Sequence, residues 1–160
     1  MTWQPLTLTL FRRIRADLLA SIDTPGQRVA WLAWHIARGQ DRNLSELTAR
    51  PQLWLSAAWA TRFSRPPDPN DTGYRHTPTQ AAAFRSPSVD LLLAYQAATH
   101  ALAEHYLATA PDDDLTRLVT SPTLHNTHTV EERLTALIRE GFAHTGQMAL
   151  LAGGRSRTRK

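Results

Sequence analysis

Glu140 and His144 stand four residues apart in the run LIREGFAHTGQM, Leu137 to Met148. Leu134, Leu137, Gly141, His144, Met148 and Leu151 recur at helical spacing and draw one stripe. On a helix, residues i and i+4 lie about 5–6 Å apart at Cβ. Glu140, beside the seam, and His144, on it, can therefore converge on one ion. A third group comes from elsewhere in the chain. His35 shares a face with Val29, Leu32, Ile36 and Gly39. Facing helices of a bundle are where metal sites are built from such residues. Two histidines and one carboxylate form the ligand set of catalytic zinc sites and of non-haem iron sites. An ion so held keeps open positions, for water or the sulfur of an exogenous thiol, and lowers the pKa of either. The competing reading is electrostatic: hydrogen-bonded core histidines, with Arg139 or Arg38 matching Glu140. A buried carboxylate is costly unless a cation or metal matches it.

Other chemistry is sparse. There are no cysteines, which excludes disulfides, Cys-ligated zinc and thiol nucleophiles. No glycine-rich phosphate loop and no nucleophile elbow is present. His100 and His105 are five apart and point to different faces of one helix, which favours packing or surface roles. His125 and His128, in SPTLHNTHT, read as turn and surface residues near one bundle end. His76, in a long loop, can touch a pocket. Trp31 and Trp34 flank the His35 face and can wall a ligand site; Trp3, Trp54 and Trp59 read as packing.

Four long helices must position these groups. The first covers about Leu6 to Ser21. The second opens at TPGQ, where Thr24 caps, Pro25 suits the first turn and Gln27 completes a capping box. The third runs from about Asp90 to Ala108, before Pro111. The fourth opens at TVEE, with Thr129 and Glu132 as a capping box, and ends near AGG, a glycine stop. One shorter helical piece, PQLWLSAAWATRF, follows the second helix. Strand signals are nearly absent. The fold class is all-α, a four-helix bundle over residues 1–152, followed by a basic, disordered tail at 153–160. The proline-rich connection between helices two and three is long enough to cross the bundle, so helix three can run parallel to helix two. Its TPTQ stretch caps one short helix.

The bulk numbers set limits on function. The chain has 160 residues, 42% apolar and 20% charged, which suits one soluble domain. No unbroken apolar run has membrane-spanning length. The start shows no small-residue cleavage site, so a signal peptide is not expected. The net charge is +4, and the tail alone holds Arg155, Arg157, Arg159 and Lys160, so the rest is near neutral. Basic and aromatic residues are not interleaved, which argues against nucleic acid. A cytoplasmic protein is expected.

WLAWHIARGQDRNLSEL on the second helix and EGFAHTGQMALLAG on the last resemble the DinB-like superfamily. The nearer likeness is to its branch containing mycothiol-dependent maleylpyruvate isomerase. The most specific pieces are the W-x-x-W-H-I-A-R run and H-x-G-Q preceded by a carboxylate four residues earlier. The resemblance implies a four-helix bundle with a crossover connection, commonly a homodimer, and a divalent metal on His35, Glu140 and His144. Zinc leads, with nickel or iron as alternatives. Many relatives have a histidine where this chain has Glu140, and the acidic version points to the isomerase-like branch. Characterised relatives are transferases and isomerases that use low-molecular-weight thiols such as mycothiol or bacillithiol. A small thiol and an electrophilic substrate are therefore the expected partners. A metal-assisted hydrolase is the alternative, as is a non-enzymatic dimeric metal-binding or stress-response protein. Relatives usually have a longer connection than SIDTPGQRV between the first two helices.

Overall fold

The computed structural model describes residues 2–22 and 26–156, with side chains to 153. Its long helices are α1 (Gln4–Ser21), α2 (Gln27–Leu47), α6 (Val89–Thr109) and α7 (Val130–Ser156). Between α2 and α6 lie three short helices: α3 (Leu53–Ser56), α4 (Trp59–Arg62) and α5 (Pro78–Ala83). The four long helices pack as the expected all-α bundle.

Side-chain pairs fix the directions. Arg15 meets Gln96 and Arg12 meets Glu104, so α1 and α6 run antiparallel. Asn43 meets Arg133 while His35 meets His144, so α2 and α7 are antiparallel too. Tyr95 reaches Asp41, and farther along both helices Leu44 and Leu47 share a cluster with Ala103 and Leu107. Helices α2 and α6 are therefore parallel, as the length of their connection allows.

Two apolar clusters stabilise the bundle. One centres on Trp34, Trp54, Tyr95 and Phe84, the other on Phe11, Leu44, Leu107 and Val130. Close approach of α1 and α7 depends on Gly141. A Cβ there would sit 2.7 Å from Ile14 Cδ1 and 3.0 Å from its Cγ2. Ile14 is fully buried and β-branched, so it cannot swing aside. Gly141→Ala should gain about 1 kcal/mol of helix propensity and lose about 1–3 kcal/mol to overpacking. The expected net result is a lower midpoint in urea unfolding.

Local signals held where side chains cap the backbone. Thr129 Oγ1 accepts from the Glu132 N–H at 3.1 Å, and Glu132 accepts from the Thr129 N–H at 2.8 Å. Thr77 and Gln80 make the same reciprocal pair at α5. Thr24 and Pro25, expected to start α2, lie outside the described residues; Gly26 is the N-cap there.

Three expectations need correction. PQLWLSAAWATRF forms two single-turn helices, split at Ala58, whose φ is +55°. The break lets Trp54 and Trp59 both bury. Next, a short antiparallel hairpin, β1 (Leu118–Thr120) with β2 (Thr127–Thr129), precedes α7. Three-residue strands are too short to show alternation. Finally, α7 does not stop at AGG but continues through both glycines to Ser156. A glycine ends a helix only if it turns left-handed, and neither does so here. Residues 157–160 of the basic tail lie outside the described residues.

Candidate metal centre

His35, Glu140 and His144 come together where α2 faces α7. One ligand atom from each lies within 4.8 Å of the others. His144 Nε2 is 3.2 Å from Glu140 Oε2. Two ligands of one tetrahedral ion at 2.0–2.1 Å would be separated by about 3.3 Å. The His35 and His144 rings meet edge to face, with centroids 5.0 Å apart.

The tautomer of His35 follows from its partner. Its Nδ1 lies 2.5 Å from the Thr72 carbonyl, which can only accept. Nδ1 therefore carries the proton, and Nε2 offers a lone pair to the site. A backbone carbonyl behind a ligating histidine is a standard way to orient it. Burial lowers the His35 pKa and outweighs the Thr72 bond, so the ring is neutral at pH 7. His144 Nδ1 faces Gln147 Oε1 at 3.0 Å. Its Nε2 is buried without a hydrogen-bond partner. An unpartnered imidazole nitrogen beside a carboxylate is compatible with ligation of a metal ion.

Glu140 differs from the sequence reading. Its side chain is 51% exposed and pairs with Arg139 at 3.2 Å. It sits at the rim of the α2–α7 seam, so desolvation does not compel it to find a cation. Arg139 is the partner proposed by the electrostatic reading, but an exposed pair of this kind contributes little. Arg38 is engaged elsewhere.

The loop before α5 holds His35 in place, and Arg38 holds the loop. Arg38 is completely buried. It donates to the carbonyls of Asp71 at 2.8 Å and Pro69 at 3.2 Å, and to Gln52 at 2.9 Å. Its charge is matched by Asp41 at 3.3 Å. Asp41 also caps α3, accepting from the Leu53 and Trp54 N–H groups, both at 2.8 Å. This network delivers Thr72 and Gly73 onto the His35 ring. Gly73 has φ +80°, and a Cβ on it would lie 2.9 Å from His35 Nδ1.

Trp31 and Trp34 brace this arrangement and do not wall the cleft. Trp31 stacks on His35 at 5.0 Å and 7°. Trp34 is fully buried. His76 also belongs to the brace: Trp31 Nε1 donates to its Nδ1 at 3.2 Å. Of the remaining histidines, His100 is buried and His105 exposed, on different faces as expected. His125 takes a turn with φ +56°. His128 is exposed, pairs with Glu132 at 3.4 Å, and lies on the cleft wall.

The cleft itself has a volume of about 420 Å³ and contains the three convergent residues. It extends along α2 and α7 to the hairpin, past Arg42, Tyr74, Asn126 and Arg133. The sequence reading singled out none of these four. Arg42 had a visible signal: it stands at i+7 from His35, two turns along the same face.

The chain is a crossover four-helix bundle in which two histidines and a carboxylate converge at an open cleft, an arrangement that could hold a divalent metal. The chain matches the DinB superfamily over residues 2–148 and belongs to it. It is similar to the crystal structure of a conserved protein from Enterococcus faecalis, at 26% identity and a TM-score of 0.82. The similarity covers 95% of this chain and 96% of that one. No curated protein matches the chain. No helix among the described residues is long and apolar enough to cross a membrane.

Proposed function

We propose that the protein is a divalent-metal-dependent, thiol-linked transferase or isomerase. The observation that carries this reading is the convergence of His35, Glu140 and His144 at the end of an open cleft. His35 and His144 would present Nε2, and Glu140 a carboxylate oxygen. Zinc suits two imidazoles and one carboxylate, and nickel or iron would be accepted by the same set. When bound, the ion supplies a Lewis acid that lowers the pKa of a thiol reaching its open side. The protein's part is orientation. Thr72 fixes one ring, Gln147 the other, and the α7 helix holds Glu140 one turn from His144.

Three protein ligands favour a reactive site over a closed structural one, which would take four. The thiol rests on the resemblance to the mycothiol-dependent maleylpyruvate isomerase branch, which shares the acidic third ligand. The basic side chains of the cleft support an anionic thiol. A homodimer belongs to the same proposal and rests on that resemblance alone.

Cobalt(II) substitution provides the test. Adding N-acetylcysteine or mycothiol should produce a sulfur-to-cobalt charge-transfer band in the near ultraviolet, saturable with thiol. A spectrum that responds to pH but not to thiol would overturn the thiol-linked reading and favour a metal-assisted hydrolase.

A further inference from the structure

Arg42 is a half-buried cation on the cleft wall with no ion-pair or hydrogen-bond partner among the described residues. Its Nε is buried and unsatisfied. The contrast with its neighbours is informative. Arg38 is matched by Asp41 and by loop carbonyls. Arg133 also has an unpartnered Nε, but its charge is matched by Glu46 at 2.9 Å and its Nη2 by the Val119 carbonyl. Asp41, the adjacent acid on α2, is matched by Arg38, and the oxygens of Glu46, one turn along, are engaged as well. They accept from Ser121 and Thr123, both at 3.0 Å, and from Arg133.

A guanidinium whose Nε is buried without a partner forfeits part of its hydration and gains nothing in return. Desolvation disfavours its protonated form; Glu46 opposes that, and the Arg38 and Arg133 charges add to it, so the net direction is downward, yet arginine stays charged. Such a group is a standing demand for an anion. Its fork matches carboxylate and phosphate oxygens in bidentate geometry. Asn126, contributed by the hairpin turn, lines the same cleft, and its buried Oδ1 also lacks a partner. That acceptor suits a hydroxyl or amide on the ligand.

We propose that Arg42 is the oxyanion-binding residue of the cleft, receiving the carboxylate or phosphate of a small molecule whose reactive end lies at His35, Glu140 and His144. The two ends are seven residues apart on α2, or about 10 Å along its axis. The cleft is continuous between them. A ligand of this kind is short and anionic, with its oxyanion several bonds from the reacting atom. The assignment of a reactive end rests on the function proposed above; the oxyanion site itself does not.

The test uses metal-free protein, with succinate and inorganic phosphate as separate calorimetric probes. At least one should bind with a dissociation constant in the millimolar range or tighter. Arg42→Gln should weaken that binding tenfold or more, while Arg50→Gln, at an exposed arginine outside the cleft lining, leaves it unchanged. A preference for succinate identifies a carboxylate ligand, and a preference for phosphate identifies a phosphorylated one. The Arg42 Nε–H resonance of the unsubstituted protein should shift on titration, which keeps the test valid if the variant unfolds. Absence of binding by both anions would overturn the proposal. So would equal binding by the Arg42→Gln variant, or an Arg42 resonance that does not move. Zinc uptake is measured on parallel samples that are loaded with zinc and desalted. A parent that takes up no zinc yet binds anion through Arg42 would fail the metal reading and leave this site standing.

Discussion

Arg38→Met is expected to destabilise the fold by about 3–5 kcal/mol. Arg38 and Asp41 are both fully buried and face each other at 3.3 Å. Removing only the cation leaves the carboxylate uncompensated in the core. Asp41 would keep its bonds to the Leu53 and Trp54 N–H groups and to the Tyr95 hydroxyl, which limits the loss to that range. The Pro69 and Asp71 carbonyls would lose their donor at the same time. Thr72 is the next residue, so the loss should propagate to His35. Urea unfolding of the metal-free variant measures the first effect, and zinc titration of the folded fraction the second. A change below about 1 kcal/mol, the size of an ordinary surface substitution or only a little larger, would show that the pair does not hold the loop.

Gly73→Ala is expected to act on the site more than on the fold. The backbone there is left-handed, which costs a residue with a Cβ about 1–2 kcal/mol. The added carbon would also press on His35 Nδ1 at 2.9 Å, and on Trp34 and Trp31 at 3.1 and 3.2 Å. Trp31 stacks on His35, and Trp34 is fully buried against Trp54 and Phe84, so the loop must retreat. Retreat breaks the bond from His35 Nδ1 to the Thr72 carbonyl. Loss of an orienting partner behind a ligating histidine typically costs 10- to 100-fold in metal affinity. Calorimetric titration of zinc into metal-free parent and variant should show that drop. Equal affinities would mean that Thr72 does not orient His35.

The sequence exposed the parts of the site that obey helical periodicity. Glu140 and His144 are one turn apart on α7, and their proximity follows from helix geometry alone. His35 was separable from the other histidines because it falls on an apolar face. The capping boxes at Thr77 and Thr129 were legible because two specific side chains must occur at fixed spacing. The supporting parts carried no such signal. Every residue owns a carbonyl, so nothing marks Thr72 as the one beneath His35. Gly73 looks like any loop glycine until its φ and its neighbours are known. The hairpin is too short for alternation to register. The exposure of Glu140 was misjudged for a related reason. Periodicity gives an angle around the helix but not how far the neighbouring helices cover it, and Glu140 is left half-exposed at the edge of the contact.

The roles of Trp31 and Arg38 also shifted. Both lie in the W-x-x-W-H-I-A-R run that carried the family resemblance. Trp31 supports the His35 ring from behind, and Arg38 secures the loop that supports it from above. The run therefore encodes one proposed ligand, His35, together with the groups that hold its ring.

Metal analysis of the purified protein beside His144→Ala tests the central claim most directly. Both samples are loaded with zinc, desalted and assayed for bound metal per chain, with circular dichroism to show that both are folded. About one equivalent in the parent and little in the variant is the predicted result. Equal metal in the two, or none in either, would contradict it.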